Sequence, residues 1–145
     1  MPKKTLVVTR RLPHEVESRI TCDYIARLNS DDRLYSSDEL IDVSAGADAL
    51  LITQQDVMDA RALSHLPSSV RVIATLSAGF DHIDLAAAAA CGIEVTNTPG
   101  VVTDATADIA ILLLLAASRR ASEGKALVRS GNWRDRDPPN CWVGS

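Results

Sequence analysis

SAGFDHID at Ser77–Asp84 and NTPGVVTDA at Asn97–Ala105 decide how this chain is read. Each follows a short apolar run and precedes a helix-forming stretch. VRVIAT (Val70–Thr75) leads into the first and IEVT (Ile93–Thr96) into the second. Between them LAAAAAC favours a helix, with Gly92 placed to close it as the C′ residue. Strand, turn and helix in succession are the text of βαβ units, whose ligands gather at the strand ends.

The same alternation extends towards the N-terminus. TLVVT (Thr5–Thr9) and ALLIT (Ala49–Thr53) are short, β-branched and apolar, as buried parallel strands are. Pro13 suits the first turn of a helix, and Val16, Ile20, Tyr24 and Leu28 recur every four residues to give it one apolar stripe. A weaker strand is expected near Arg33–Tyr35. Ser36 and Glu39 have capping-box spacing for a short helix over Asp38–Val43. Asp59 is placed to cap a helix that ends before Pro67, and Asp81 or Asp84 to cap the alanine helix. Thr103 or Asp104 then caps a helix running to about Ser118. That helix is apolar nearly all round, so it belongs between layers or at a subunit interface. The fold class is therefore α/β, a flavodoxin-like doubly wound parallel sheet, with a boundary near Pro99–Val102.

Composition excludes several function classes. A net charge of −4 speaks against general nucleic-acid binding. The arginines and Lys125 between 119 and 137 read as a solvated helix face. Ile109–Ala117, the longest apolar run, falls far short of the ~20 residues that span a bilayer, so no membrane partner is expected. Cys22, Cys91 and Cys141 are odd in number and form no CxxC pair, which points to reduced thiols in a cytoplasmic protein and to no metal site.

The two turns carry the candidate chemistry. Glycine after a buried strand lets backbone approach a ligand, and N–H groups near a helix start attract anions such as carboxylates. His82 titrates near neutral pH and is a conceivable general acid, but local hydrogen bonding is the favoured reading. Thr103 either donates to a cofactor or caps its helix, and one hydroxyl can do both. Asp108, inside the apolar helix, must meet a partner or face solvent.

The stretch VIATLSAGFDHIDLAAAAACGIEVTNTPGVVTDATADIAILLLLAASRR resembles the N-terminal signature of the D-isomer-specific 2-hydroxyacid dehydrogenase family. TRRLP at Thr9–Pro13, with ALLIT and SAGFDHID, is most similar to its glyoxylate/hydroxypyruvate reductase branch. The resemblance implies a two-domain enzyme that reduces a small 2-oxo acid to the D-2-hydroxy acid with NAD or NADP. Its substrate domain is built from both chain ends and a Rossmann domain is inserted between them. Residues 1–100 would be the N-terminal part of the substrate-binding domain, and 101–145 the start of the NAD(P)-binding domain. The N–H groups of Ala78 and Gly79 would hold the substrate carboxylate. Gln54 would border the substrate, where an apolar residue is expected. Thr103 would lie beside the cofactor, and the helix 103–118 would form a homodimer interface.

The resemblance also marks what is missing. No GxG occurs in the 145 residues, and the family's catalytic Arg, Glu and His have no counterpart. His14, His65 and His82 match none of the catalytic positions. The chain is therefore expected to be the N-terminal portion of an enzyme, truncated, binding no cofactor by itself and without turnover. The alternative is a stand-alone carboxylate-binding or dimerisation module. A response-regulator-like receiver is disfavoured, because Arg10-Arg11 stands after the first strand where acidic residues are required.

Overall fold

A computed structural model describes residues 2–133. The chain divides into two compact units, Met1–Gly100 and Val101–Ser145.

The first unit is a five-stranded, wholly parallel sheet in the order β2-β1-β3-β4-β5. Its strands are β1 (Thr5–Val8), β2 (Ile25–Leu28), β3 (Ala49–Ile52), β4 (Val72–Thr75) and β5 (Glu94–Thr96). Between them run α1 (His14–Asp23), α2 (Ser37–Val43), α3 (Ala60–His65) and α4 (Leu85–Ala90). This is the flavodoxin-like order, and its topological switch point lies between β1 and β3.

The side-chain period of two divides each strand between two faces. Val7, Leu50, Ile52 and Ile73 point to one face and are buried with Leu40 of α2, Leu63 of α3 and Ala88 of α4. Leu6 and Val8 point to the other and pack with Ile20 of α1. The two faces are not equally covered. In β3 and β4 the first face is closed, whereas Ala49, Leu51, Val72 and Ala74 on the α1 side are half-buried. Deleting a core side chain such as Leu50 would cost about 2–5 kcal/mol.

Local signals act as expected at several helix ends. The Ser36 hydroxyl accepts from the Glu39 N–H while the Glu39 carboxylate accepts from the Ser36 N–H, completing a capping box. Asp59 and Asp84 cap α3 and α4 through the N–H groups of Ala62 and Ala87. Gly92, at φ +69, ends α4 in a Schellman turn, with Ile93 N–H donating to Ala88 and Gly92 N–H to Ala89.

Two expectations are corrected. The four-residue spacing of Val16, Ile20, Tyr24 and Leu28 crosses a helix–strand junction: α1 stops at Asp23 and β2 begins at Ile25. Edge pairing beside β1, from Thr5↔Ile25 to Val8↔Leu28, replaces the last helical turn, and no strand forms at Arg33–Tyr35. β2 is mostly exposed, so it carries no apolar run to announce it.

The second unit contains α5 (Thr103–Ser118) and α6 (Ala121–Arg129). Its start corrects a third expectation. The N-cap is Val102, which makes no side-chain cap bond, and Thr103 is already helical. The Val102 carbonyl is held instead by the N–H and hydroxyl of Thr106. Ile109 and Ile111–Leu115 are all exposed, as is Asp108. α6 is likewise exposed, as a solvated face should be; Arg134, Arg136 and Cys141 lie outside the described residues. Among the described residues no helix is long and apolar enough to cross a membrane.

Candidate substrate cleft

Parallel strands direct their carboxyl ends to one edge of the sheet, and a cleft of about 370 Å³ opens there. Its lining comes from the turns after four strands. Arg10 and Arg11 follow β1, Asp32 follows β2, Thr53, Gln54 and Gln55 follow β3, and Leu76 and Ser77 follow β4. It therefore straddles the switch point, where neighbouring connections leave in opposite directions.

A buried carboxylate, not singled out in the sequence, ties the middle of this edge. Asp56 is 1% exposed, and one of its oxygens accepts from the Thr9 hydroxyl at 2.6 Å and from the Thr53 N–H at 2.8 Å. The ends of β1 and β3 are thereby fixed side by side. Its other oxygen, Oδ1, is buried with no partner among the described residues. Asn29, also buried, donates to the Thr9 and Arg33 carbonyls at 2.7 Å and anchors the turn after β2.

The cleft wall from β1 and β2 is an ion pair. Arg10 donates twice to Asp32, at 2.9 Å from Nε and 3.2 Å from Nη2, and its Nη1 donates to Gln55. The Arg11 N–H donates to Asp32 as well, at 2.9 Å. The Arg10 side chain first, and then the Arg11 backbone, hold the Asp32 carboxyl down to about 2. Arg11 and Gln54 line the same cleft, and their side chains make no hydrogen bond among the described residues.

On the β4 side the cleft is lined by Leu76 and Ser77, and the 77–84 turn that starts there is built on buried anchors. Met58 and Ile83 bridge in parallel, with the Met58 N–H donating to His82 at 2.8 Å and the Asp84 N–H to Met58 at 2.9 Å. Thr75 Oγ1 lies 2.7 Å from Ser77 Oγ and 3.1 Å from His82 Nε2, so His82 is engaged locally. The Ser77 hydroxyl donates to the Gly79 carbonyl, and the Asn97 amide donates to the Ala78 carbonyl, each at 2.7 Å. Both carbonyls are thus occupied. The N–H groups of Ala78, Gly79 and Phe80 donate to nothing among the described residues.

Gly79 is informative for what it does not do. Its φ lies outside the left-handed region, and an added Cβ would meet only Asp81 Oδ2, at 3.5 Å. The fold does not itself require glycine there. What glycine leaves is open approach to a pair of N–H donors that suits an anion.

The expected site residues thus fall in two groups. Gln54 lines the cleft with Ser77, and Ala78 and Gly79 continue the same turn. Thr103 belongs to the second unit, as the exposed first residue of α5, with a hydroxyl that has no partner among the described residues. No Gly-rich pyrophosphate turn accompanies it in the sequence. Among the described residues no three His, Cys, Asp or Glu side chains are grouped to hold a metal ion.

Residues 6–133 match the family model of the D-isomer specific 2-hydroxyacid dehydrogenase catalytic domain. The chain is 41% identical to the glycerate dehydrogenase of Hyphomicrobium methylovorum, over 95% of this chain and 43% of the relative. It is 39% identical to the glyoxylate reductase of Thermococcus litoralis, over 91% of this chain and 40% of the relative. Among solved structures, it is similar to a Polaromonas sp. JS6 66 protein provisionally described as a D-isomer specific 2-hydroxyacid dehydrogenase, NAD-binding. There the TM-score is 0.81 at 35% identity, covering 99% of this chain and 44% of the other. The chain thus spans about two-fifths of the length of these relatives.

Proposed function

Since the chain belongs to the D-isomer specific 2-hydroxyacid dehydrogenase family, we propose that its cleft is the carboxylate seat of an enzyme reducing a small 2-oxo acid of the glyoxylate/hydroxypyruvate class. The observation that carries this reading is the pair of unengaged N–H groups at Ala78 and Gly79, beside a glycine the fold does not need. Two such donors bind both carboxylate oxygens and fix the orientation of the neighbouring C2 carbonyl. Gln54 borders the rest of the substrate.

Residues 1–100 then serve as the N-terminal part of the substrate-binding domain, and 101–145 begin the NAD(P)-binding domain. Thr103 edges the nicotinamide of NAD or NADP, which supplies the hydride when bound. The half-buried α1 side of β3 and β4 supports this reading, since more chain has room to pack there. With no GxG and no acid to protonate the developing alkoxide, the 145 residues alone bind but do not turn over. Reduced Cys22 and Cys91, both free, suit a cytoplasmic setting.

Glyoxylate and NADH or NADPH, offered to this chain and to a version extended through a GxGxxG segment and the catalytic residues, test the assignment. The extended enzyme is expected to oxidise the cofactor and the chain alone to be silent. Substantial turnover by the chain alone, or none by an extended enzyme that folds, overturns it.

The exposed run Ile109–Leu115 favours a second element of the reading, a homodimer through the helix 103–118. Without catalysis, the same two features would make the chain a carboxylate-binding or dimerisation module.

A further inference from the structure

His82, Thr75 and Ser77 form one chain of hydrogen bonds, and chemistry fixes its direction. A backbone carbonyl only accepts, so the Ser77 hydroxyl gives its single proton to the Gly79 carbonyl, at 2.7 Å. Ser77 Oγ therefore accepts from Thr75 Oγ1, 2.7 Å away. The Thr75 proton is then used, so Thr75 Oγ1 accepts from His82 Nε2 at 3.1 Å and from the Ser77 N–H at 3.4 Å. That fills both lone pairs of Thr75, which is 2% exposed and out of reach of competing solvent. The neutral His82 ring must carry its proton on Nε2. Its own carbonyl is held by the Met58 N–H at 2.8 Å, which anchors the backbone from which the ring projects.

We infer that His82 is a positioning residue for the carboxylate seat: as the Nε2–H tautomer it heads a relay through Thr75 and Ser77 that pins the Gly79–Phe80 peptide. This inference rests on the seat at Ala78 and Gly79. Glycine has the greatest backbone freedom of any residue, and Gly79 stands between two peptides. The Asn97 amide holds the peptide before it, by the Ala78 carbonyl, and the relay holds the peptide after it. The Thr98 N–H also holds the Ser77 carbonyl, at 3.2 Å. Three consecutive carbonyls are thus engaged from within the protein. The N–H groups that share their peptides, those of Ala78, Gly79 and Phe80, donate to nothing among the described residues. The entropy of ordering Gly79 is therefore met on folding and not on binding. Hydrogen bonds that run in one direction also polarise one another, so each held carbonyl makes its N–H a better donor to an anion. The opposite His82 tautomer would claim the Thr75 proton for Nε2 and leave Ser77 Oγ without a donor.

Two measurements on the 145-residue chain test the relay. Ring ¹⁵N NMR of neutral His82 reads the tautomer, and a glycolate titration followed on the Ala78 and Gly79 amides reads the seat. The unaltered chain is expected to carry the proton on Nε2. His82→Leu is expected to weaken glycolate about fivefold, the worth of one net hydrogen bond, and Thr75→Val to match it. The double variant is expected to lose no more than either single one, because both break the same relay. His82→Gln returns an N–H near the place of Nε2 and is expected to recover most of the affinity. Should Thr75→Val, at its buried position, fail to fold, the tautomer and the His82→Gln rescue decide. A proton on Nδ1, unchanged glycolate affinity in folded His82→Leu, no rescue by His82→Gln, or losses that add in the double variant overturn the relay and leave the seat standing. Amides at 78 and 79 that ignore glycolate in the unaltered chain overturn the seat, and the positioning role of His82 with it.

Discussion

The side-chain amide of Asn97 donates to the Ala78 carbonyl at 2.7 Å, joining the turn after β5 to the turn after β4. The Thr98 N–H and hydroxyl reinforce the link by donating to Ser77 and Leu76. With its carbonyl held, the peptide that carries the Gly79 N–H is pinned. Asn97→Ala removes one partly buried hydrogen bond and should cost about 1 kcal/mol. Urea denaturation measures that loss, and glycolate binding should weaken in parallel. Unchanged binding at reduced stability would mean that the bond serves the fold alone.

Gly79 should behave in the opposite way. Its backbone conformation and surroundings admit a methyl group, so Gly79→Ala should shift stability by less than about 1 kcal/mol, in either direction. Carboxylate affinity should nonetheless fall several-fold, because the methyl narrows the approach to the N–H pair. Thermal melts and binding isotherms of the same sample separate the two effects.

Asp56→Ala tests the tie between β1 and β3. It would leave the buried Thr9 hydroxyl and the Thr53 N–H without an acceptor. The expected loss is about 2–4 kcal/mol, read as a lower midpoint in urea. Asp56→Asn keeps an acceptor oxygen in place and should recover part of it.

Acid should act through Asp32, whose carboxyl is held down to about 2 by the Arg10 side chain and then the Arg11 N–H. A lowered native value means that this contribution is complete above the unfolded value, about 3.9. It is lost as pH falls through about 2. Carboxyl-detected NMR should show Asp32 titrating near 2, and Arg10→Met should move it up towards the ordinary range.

The dimer reading has its own test. Leu113 is 62% and Leu114 69% exposed, so a charge at either position should not disturb the folded monomer. Sedimentation should show the unaltered chain as a dimer and Leu113→Glu as a monomer of unchanged circular dichroism. A monomeric unaltered chain would contradict the homodimer.

Much of this was legible from residues alone. β1, β3 and β4 announce themselves as apolar runs because one face of the sheet is closed and the other is at least half-buried. Ser36, Asp59, Asp84 and Gly92 act through neighbours three or four residues away, which a sequence displays directly. β2 was not legible: it is an exposed edge strand, and its register comes from β1, twenty residues earlier. Nor was Asp56, whose role arises from Thr9, 47 residues away. Arg11 was legible only as the wrong charge for a receiver domain.

The central claim is that Ala78 and Gly79 seat a carboxylate. The most direct measurement is a ¹⁵N-amide titration of the 145-residue chain with glycolate. Saturable shifts centred on Ala78 and Gly79, and lost in Gly79→Ala, are the predicted result. A titration that leaves those two amides unmoved while glycolate binds elsewhere, or not at all, contradicts the claim.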